Sequence, residues 1–598
     1  MSALLLLALL AAAPPAPAQA PGEAEAAEAP RGKGYEDALV AWGLAQHGRE
    51  LEPSPEGKRL EEVLVSAEDV VAQSDPYPNF LNAFHWRTRE HVIRREVLLE
   101  VGAPWSDARV EESVRNLRGL RAFAVVRAVA VRGRSPGGVA LLIVTKDLWS
   151  LRLNSTFSVV GSLVQLLQLQ PTELNFLGLN KSVAADFILT QGSLSLGQTY
   201  VDRRLFGSRL QLREQALLVF DRHTQALEGS RGSVSLSRPL YSVLVTRGFQ
   251  ADVSWRFLRS RIFRGAGLWQ LPYPEGEPIP YAYDTREVEA RVLHVSSYGE
   301  RLKTDVGAGV GGYYGRYLPP PDAGLDGPRA DYFRVHYLPR SEDAVYLTGS
   351  VRSYEARYVT LRDVDTYALS EDFQLGHSAL VTARYAPPVL GGGPTATHYV
   401  ELGASLRYRV QVGDGLSSLT VAGAVRRSFR EGQPEPGGDA GWTNGRWAVE
   451  AWQASPKVLG GRFVARALLD VNVDDLQQRV SLLGGGNGLR GALVDAYAGR
   501  RVALLNLEYR TRPVVVRTVH AGGVLFWDAG SAFDTTPAPV HSVGVGLRLL
   551  FPQFNIAPFR FDLGYVLNGA RPPFTGRIQG GAEQITEIRP SFLDAPLR

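Results

Sequence analysis

After Trp149, apolar and polar residues alternate one for one over long stretches of the chain. In residues 399–410, Val400, Leu402, Ala404, Leu406, Tyr408 and Val410 alternate with Glu401, Gly403, Ser405, Arg407 and Arg409. The same period of two runs through residues 249–257, 543–549 and 559–565. Successive side chains of a β-strand point to opposite faces, so this pattern predicts strands with one apolar and one polar face. A water-soluble sandwich alternates in the same way. Three features favour a barrel that faces lipid on its outside: an amino-terminal export signal, aromatics near segment ends, and recurrence of segments about ten residues long. Allowing about 27 residues for each strand with its loop, the roughly 430 residues in question hold about 16 strands. The expected fold is therefore mainly β, an antiparallel transmembrane barrel over residues 151–590.

Residues 59–150 carry a different pattern. A strand-like LEEVLVSA (60–67) leads to REHVIRREVLLE (89–100), where Val92, Ile93, Val97 and Leu99 suggest an amphipathic helix. Gly102 and Pro104 end that helix, Ser106 or Asp107 caps the next, and Gly119 closes it. Two strands follow (123–131 and 138–145), joined by GRSPGG. The order is β-α-α-β-β, a compact α+β unit. Residues 21–58 are rich in Ala, Glu and Pro and read as a lead-in with one short helix at 36–46. Residues 1–20 read as a signal peptide: an apolar run at 4–13, three prolines, then Ala18-Gln19-Ala20 as the small-x-small cleavage pattern. Beyond it no apolar run reaches the roughly 18 residues that a helical membrane span needs.

Composition removes several classes of function. The 598 residues carry a formal net charge of only +4, without the basic surface of a nucleic-acid binder. With no cysteine, thiolate metal sites, disulfides and cysteine nucleophiles are excluded. Apparent catalytic signatures dissolve on inspection. Gly133-Arg134-Ser135-Pro136-Gly137 imitates a nucleophile elbow, but Pro136 has no N–H for an oxyanion hole. Gly486 to Gly491 fits a dinucleotide fingerprint without the helix that would receive a pyrophosphate. Asp470, Asn472 and Asp474 imitate a calcium loop, with Asp475 where glycine is required. No enzyme, cofactor or metal site is expected.

One constellation remains. SLLGGGNGLRGALVDAYAGRRVALLNLEYR (481–510) sets Arg490 between a glycine-rich stretch and a strand whose Asn506, Glu508 and Arg510 face inward. In VLFWDAGSAF (524–533), Asp528 lies on the face opposite Leu525 and Trp527, again inward. An arginine on a loop folded into the lumen can pair with Asp528 and Glu508 through its planar fork.

LLGGGNGLRGA, AGRRVALLNLEYR and FWDAGSAFD resemble the carboxy-terminal surface-antigen region (about 400–590) of the BamA/TamA outer-membrane assembly superfamily. Leu489-Arg490-Gly491 is similar to the (V/I)RG(F/Y) loop motif of that family, with Leu489 and Ala492 in place of the usual flanking residues. The β-α-α-β-β unit resembles its periplasmic POTRA domain, and ELNFLGLNK (173–181) and YVDRRLFGSRL (200–210) are similar to its early barrel strands. The chain ends in Pro596-Leu597-Arg598 where an aromatic strand is usual, and residues 574–586 are the candidate closing strand. The resemblance implies an outer-membrane protein that assists insertion of outer-membrane proteins, or translocates one, by offering a strand edge to unfolded clients. Outer-membrane lipid and those clients are the expected partners, accessory periplasmic or lipoprotein partners being open. Leu489, Arg490 and Gly491 then form a structural latch with Asp528 and Glu508. The alternative is a passive channel or structural barrel without client handling.

Overall fold

The computed structural model describes residues 31–70, 85–120, 122–160, 163–240, 245–264, 267–365, 370–388, 398–429, 441–485, 488–493, 495–516, 519–550, 559–568 and 577–581. The export signal expected at 1–20 lies outside these residues.

The amino-terminal unit is built on a three-stranded sheet. Strand Gly138–Asp147 runs in its centre, parallel to Arg59–Glu68 and antiparallel to Phe123–Arg132. Every residue of the central strand is buried, because both faces of the sheet are covered. On one face Val139, Leu141 and Ile143 pack with Val92, Ile93 and Leu117 from helices Glu90–Arg94 and Asp107–Gly119. On the other, Ala140, Leu142 and Val144 pack against Leu39 of helix Arg31–His47. That helix corrects the expectation of a lead-in at 21–58: it is longer than 36–46 and docked. Gly43 permits the close approach, since a Cβ there would stand 2.9 Å from Val144 Cγ2.

The first helix on the opposite face is shorter than the 89–100 expected. It ends at Arg94, and the next residues turn away so that Glu96 meets Arg204, a tertiary ion pair that overrides local helical preference. Ser106 accepts from the Arg109 N–H as cap of the second helix. Glu61 accepts the Ser135 hydroxyl and the Arg134 N–H, so the Ser135 side chain is committed to closing a hairpin. These bonds hold the Glu61 carboxyl below its ordinary value.

From Leu151 onward the chain forms one large antiparallel sheet of sequential neighbours, which returns on itself from Arg577–Gly581 to Leu151–Val160. Glu342–Glu355 and Arg357–Arg362 form one interrupted strand, as do Arg501–Thr511 and Val514–Val516. With these counted once, the circuit has twenty strands among the described residues. This corrects the expected sixteen. The reason is short turns at both ends: only residues 413–414 separate His398–Val412 from Gly415–Phe429, and only 191–192 separate Lys181–Thr190 from Ser193–Asp202.

The apolar side of the alternation faces outward. Leu402, Leu406, Tyr408 and Val410 are exposed, while Asn506, Glu508 and Arg510 are buried on the inner face. A water-soluble sandwich would invert that arrangement. Among the described residues, no helix is long and apolar enough to cross a membrane. At the end of the sheet away from the amino-terminal unit, loops 262–281 and 319–341 pack Leu271, Ile279, Tyr281, Phe333 and Leu338 into an apolar cap. Beneath it lies a chamber of about 1150 Å³ lined by tyrosines and by ion pairs such as Arg426 with Glu342.

Candidate functional site: a buried arginine and a short closing seam

Between Gly461–Val473 and Arg501–Thr511 the chain makes its long excursion, 474–500, into the interior of the sheet. Leu489 is buried among Leu468, Leu483, Ala492, Val502, Leu504 and Val540, which pins the loop beside the wall. Next to it Arg490 is 1% exposed and Asp528 fully buried. Arg490 donates through Nε to Asp528 Oδ2 (2.8 Å), through Nη2 to Asp528 Oδ1 (2.7 Å) and through its backbone N–H to Oδ2 (3.1 Å). Its Nη1 donates to Glu508 Oε1 and lies 3.7 Å from Asp562 Oδ2. The guanidinium carbon sits 3.7 Å above the centre of the Phe526 ring. Fork, carboxylates and ring together satisfy an ion whose burial alone would cost several kcal/mol.

The structure thus brings Leu489, Arg490, Gly491, Glu508 and Asp528 together. It adds groups that the sequence pattern did not assign to the cluster. Asn506 Nδ2 donates to Gly488 O (2.5 Å) and Asp528 Oδ1 (2.7 Å), tying the loop backbone to the same carboxylate. Arg510 donates to Glu508 Oε2 (2.8 Å), and Arg548 to Asp562 Oδ1 (2.6 Å). Their inward parity on alternating strands was the available signal; the loops between those strands hid their adjacency. Gly491 has φ +84°, and a Cβ there would stand 2.5 Å from the Gly564 carbonyl carbon. The motif glycine is therefore the point where the loop backbone lies directly on strand Phe559–Val566.

That strand pairs with Arg577–Gly581, which meets Leu151–Val160 only through Gln579↔Ser158 and Gly580↔Phe157. By contrast, Arg247–Arg261 is paired with Ala282–Tyr298 along its whole length. The pairs between Arg577–Gly581 and Leu151–Val160 thus lie at residues 157 and 158 of the latter.

Across the seam, the early strands are fastened to the amino-terminal unit. Arg204 Nε donates to Glu96 Oε1 (2.7 Å), its Nη2 donates to Oε2, and Arg209 Nη1 donates to the same Oε2 (3.0 Å). Asn175 Nδ2 donates to Trp86 O and Thr88 Oγ1 (both 2.9 Å), and Thr88 N–H donates to Asp147 Oδ2 (2.6 Å). His85 Nε2 lies 3.0 Å from that same oxygen.

The calcium-like sequence is spent on local structure: Asn472 donates to Ser481 Oγ, and Asp475 accepts from the Gln477 and Arg479 N–H groups in a turn. Among the described residues, no cluster of His, Asp or Glu is arranged to hold a metal ion.

No protein-family model and no curated protein sequence matches the chain. Solved structures that it is similar to include CdiB from Escherichia coli (13% identity, covering 96% of this chain and 93% of that one, TM-score 0.41). BamA from Haemophilus ducreyi lacking POTRA domains 1–3 is 12% identical, over 90% of this chain and 88% of that one, with a TM-score of 0.39. The alcaligin outer membrane receptor FauA from Bordetella pertussis is also 12% identical, over 76% of this chain and 81% of that one, with a TM-score of 0.36.

Proposed function

We propose that this chain is an outer-membrane barrel of the assembly type, which inserts or translocates protein clients by templating their strands at its own seam. In this reading the sheet spans the outer membrane with its apolar face in lipid, and the amino-terminal unit serves as a periplasmic POTRA domain. The observation that carries the reading is the closing pair. Among the described residues this is a junction of only two pairs, where the ladder is shortest, and in a bilayer a strand edge opened there is satisfied by adding another strand. Burial of the client's apolar face then drives insertion without a nucleotide. Arg490 is a structural latch in this scheme: it keeps the loop against the wall one strand away from the seam and does no chemistry.

A passive channel is the competing reading. The packed cap of Phe333, Tyr281 and their neighbours, and the loop held in the interior, oppose it, because both obstruct a continuous aqueous path. The test exploits the absence of cysteine. Ser158→Cys with Gln579→Cys places two thiols on directly paired residues, within the Cα separation a disulfide spans. In cells depleted of the wild-type protein, the oxidised double variant is expected to leave the outer-membrane proteome depleted of its clients, and a reductant to restore it. An unchanged proteome on depletion, together with steady conductance from the stapled protein, would overturn the reading in favour of the channel.

A further inference from the structure

We propose that strand Arg357–Arg362, with residues 370–375 beside it, is an internal gate: a ribbon folded onto the inner face of the sheet and held shut through Arg510 by the Arg490 latch. The inference rests on the reading that the sheet spans a membrane around a lumen. It begins where two strands leave the wall. Glu342–Glu355 pairs with Ser370–Ala386 from Leu347↔Tyr385 to Tyr354↔Ser378, and His398–Val412 pairs with the same strand from Ala386↔Tyr399 to Gly376↔Arg409. Beyond Gly376, residues 370–375 pair only with Arg357–Arg362 among the described residues. Gly376, at φ +77°, marks the departure; a Cβ there would stand 2.3 Å from the Glu355 carboxyl carbon. A two-stranded ribbon is marginal by itself, so its position is set by what it docks on.

The ribbon docks on the inside of the wall, at the end away from the apolar cap. Leu361, Val364, Phe373 and Leu375 are buried with Leu416, Trp452, Ala454 and Val464. Trp452 and Ala454 share the parity of Arg446 and Ala448, and Val464 that of Leu468; these partners line the chamber under the cap, so the contact lies on the inner face. Its polar contacts are few. Arg510 Nη1 donates to Val364 O (2.8 Å), Arg462 Nη2 to Arg362 O (3.3 Å), and Lys457 Nζ lies 3.0 Å from Asp363 Oδ2. On the other side Tyr358 is 56% exposed and lines a cleft of about 690 Å³ with Arg203 and Arg209 from the turn after Ser193–Asp202, and Glu112 and Arg115 from the amino-terminal unit. The ribbon has one packed side and one side with room to move into.

Arg510 ties this contact to the latch. Its Nε donates to Glu508 Oε2 (2.8 Å), while the other oxygen of that carboxylate accepts from Arg490. One carboxylate therefore fixes both the loop arginine and the arginine that holds the ribbon. If the loop moves and takes Arg490 with it, Glu508 Oε1 loses that donor and Arg510 loses its fixed anchor. Coupling between two ends of a lumen needs a shared element that both can bias, and Glu508 is placed to be that element.

The test follows a single thiol in an otherwise cysteine-free chain. Ser418 is buried on the inner face, two residues from Leu416, and Leu406 is exposed on the outward face. The full chain carrying Ser418→Cys or Leu406→Cys is reconstituted in phosphatidylcholine vesicles, and its reaction with a charged methanethiosulfonate present on both sides of the bilayer is timed. Reaction is expected to be slow at both positions. Adding Leu361→Ser and Phe373→Ser, which take apolar groups from the ribbon and none from the wall, should raise the rate at 418 by about tenfold or more and leave 406 protected. Arg490→Lys, which keeps a cation in the cluster but drops the fork, should raise it by a smaller factor, and Arg490→Ala by a larger one. An unchanged rate at 418 in the ribbon variant, with 406 still protected, would overturn the gate alone. A faster 418 in the ribbon variant but not in either Arg490 variant would overturn the tie through Arg510. Fast reaction at 406 in the parent chain would overturn the membrane reading on which both stand.

Discussion

Two stretches of the same sheet, one strand apart, are held by opposite means. On strands Arg501–Thr511, Val519–Phe533 and Phe559–Val566 the inner face carries a buried cluster in which Arg490 meets Asp528, Glu508 and Asp562, and Gly491 lies on Gly564. At the seam, Arg577–Gly581 and Leu151–Val160 share two paired positions. On the far side of the seam the early strands are again held, through Arg204 and Arg209 on Glu96. Under the proposed function, a sheet stiffened on both flanks and thin between them is expected to open at the thin place, and the latch, which makes no contact with the seam itself, would localise where the sheet parts.

The largest effect is expected from Arg490→Ala. It leaves Asp528, Glu508 and Asp562 buried with one cation fewer, at a cost of about 3–5 kcal/mol. Heat-modifiability on gels and urea unfolding in detergent measure it; an unchanged midpoint would remove the latch from the comparison. Arg490→Lys keeps the charge but loses the fork, and should fall between the wild type and alanine.

Gly491→Ala probes the same region without touching charge. Its Cβ has no room against Gly564, and φ +84° is strained for any side chain, so about 1–3 kcal/mol is expected. The loop should lift from the wall, read as protease cleavage near residue 490 in the otherwise folded protein. Gly564→Ala meets the Gly491 nitrogen at 2.6 Å and should act through the same contact. The two substitutions combined should then cost less than the sum of the singles.

Glu96→Gln loosens the opposite flank. It withdraws the charge from two arginines in the contact between the units, an effect of about 1.5–3 kcal/mol on docking, with little on the sheet's own unfolding. Spin labels at the exposed Glu111 and on the Lys181–Thr190 strand should show a broadened distance distribution; an unaltered one would mean that the Asn175 and Asp147 contacts hold the unit alone.

The sequence disclosed those parts of this architecture that repeat. A period of two identifies strands and tells which residues share the inner face, so the alternation puts Asp528 and Glu508 there; the place of Arg490 depends on its loop folding into the lumen, which parity does not fix. Parity carries no information on loop length, and the count of strands was accordingly too low. Asp562 and Arg548 had the right parity, yet nothing in the sequence fixes how far 559–566 lies from the loop. Helix Arg31–His47 reads mostly as lead-in because its contact is made by Leu39, Leu44 and a glycine, too few apolar positions to mark a face. The strap just after that helix is invisible in composition: Glu52 and Arg132 donate their N–H groups to Ala130 O and Glu50 O, covering one edge of the small sheet with backbone hydrogen bonds.

The smallest expected effect is also the one that sharpens the comparison most. Gly580 lies in the closing strand, where it pairs with both Phe157 and Phe561. Gly580→Pro deletes one N–H at a place where the ladder has little to lose, about 1 kcal/mol for one hydrogen bond. Val545, on Val540–Leu550, is paired with Leu525 on one side and Leu563 on the other, within ladders that continue in both directions. Val545→Pro breaks a continuous ladder and clashes within it, so its midpoint in urea should fall well below that of Gly580→Pro. Equal losses would mean that the seam is as strongly joined as the rest of the ring, and the localised opening inferred from its two pairs would have no physical basis.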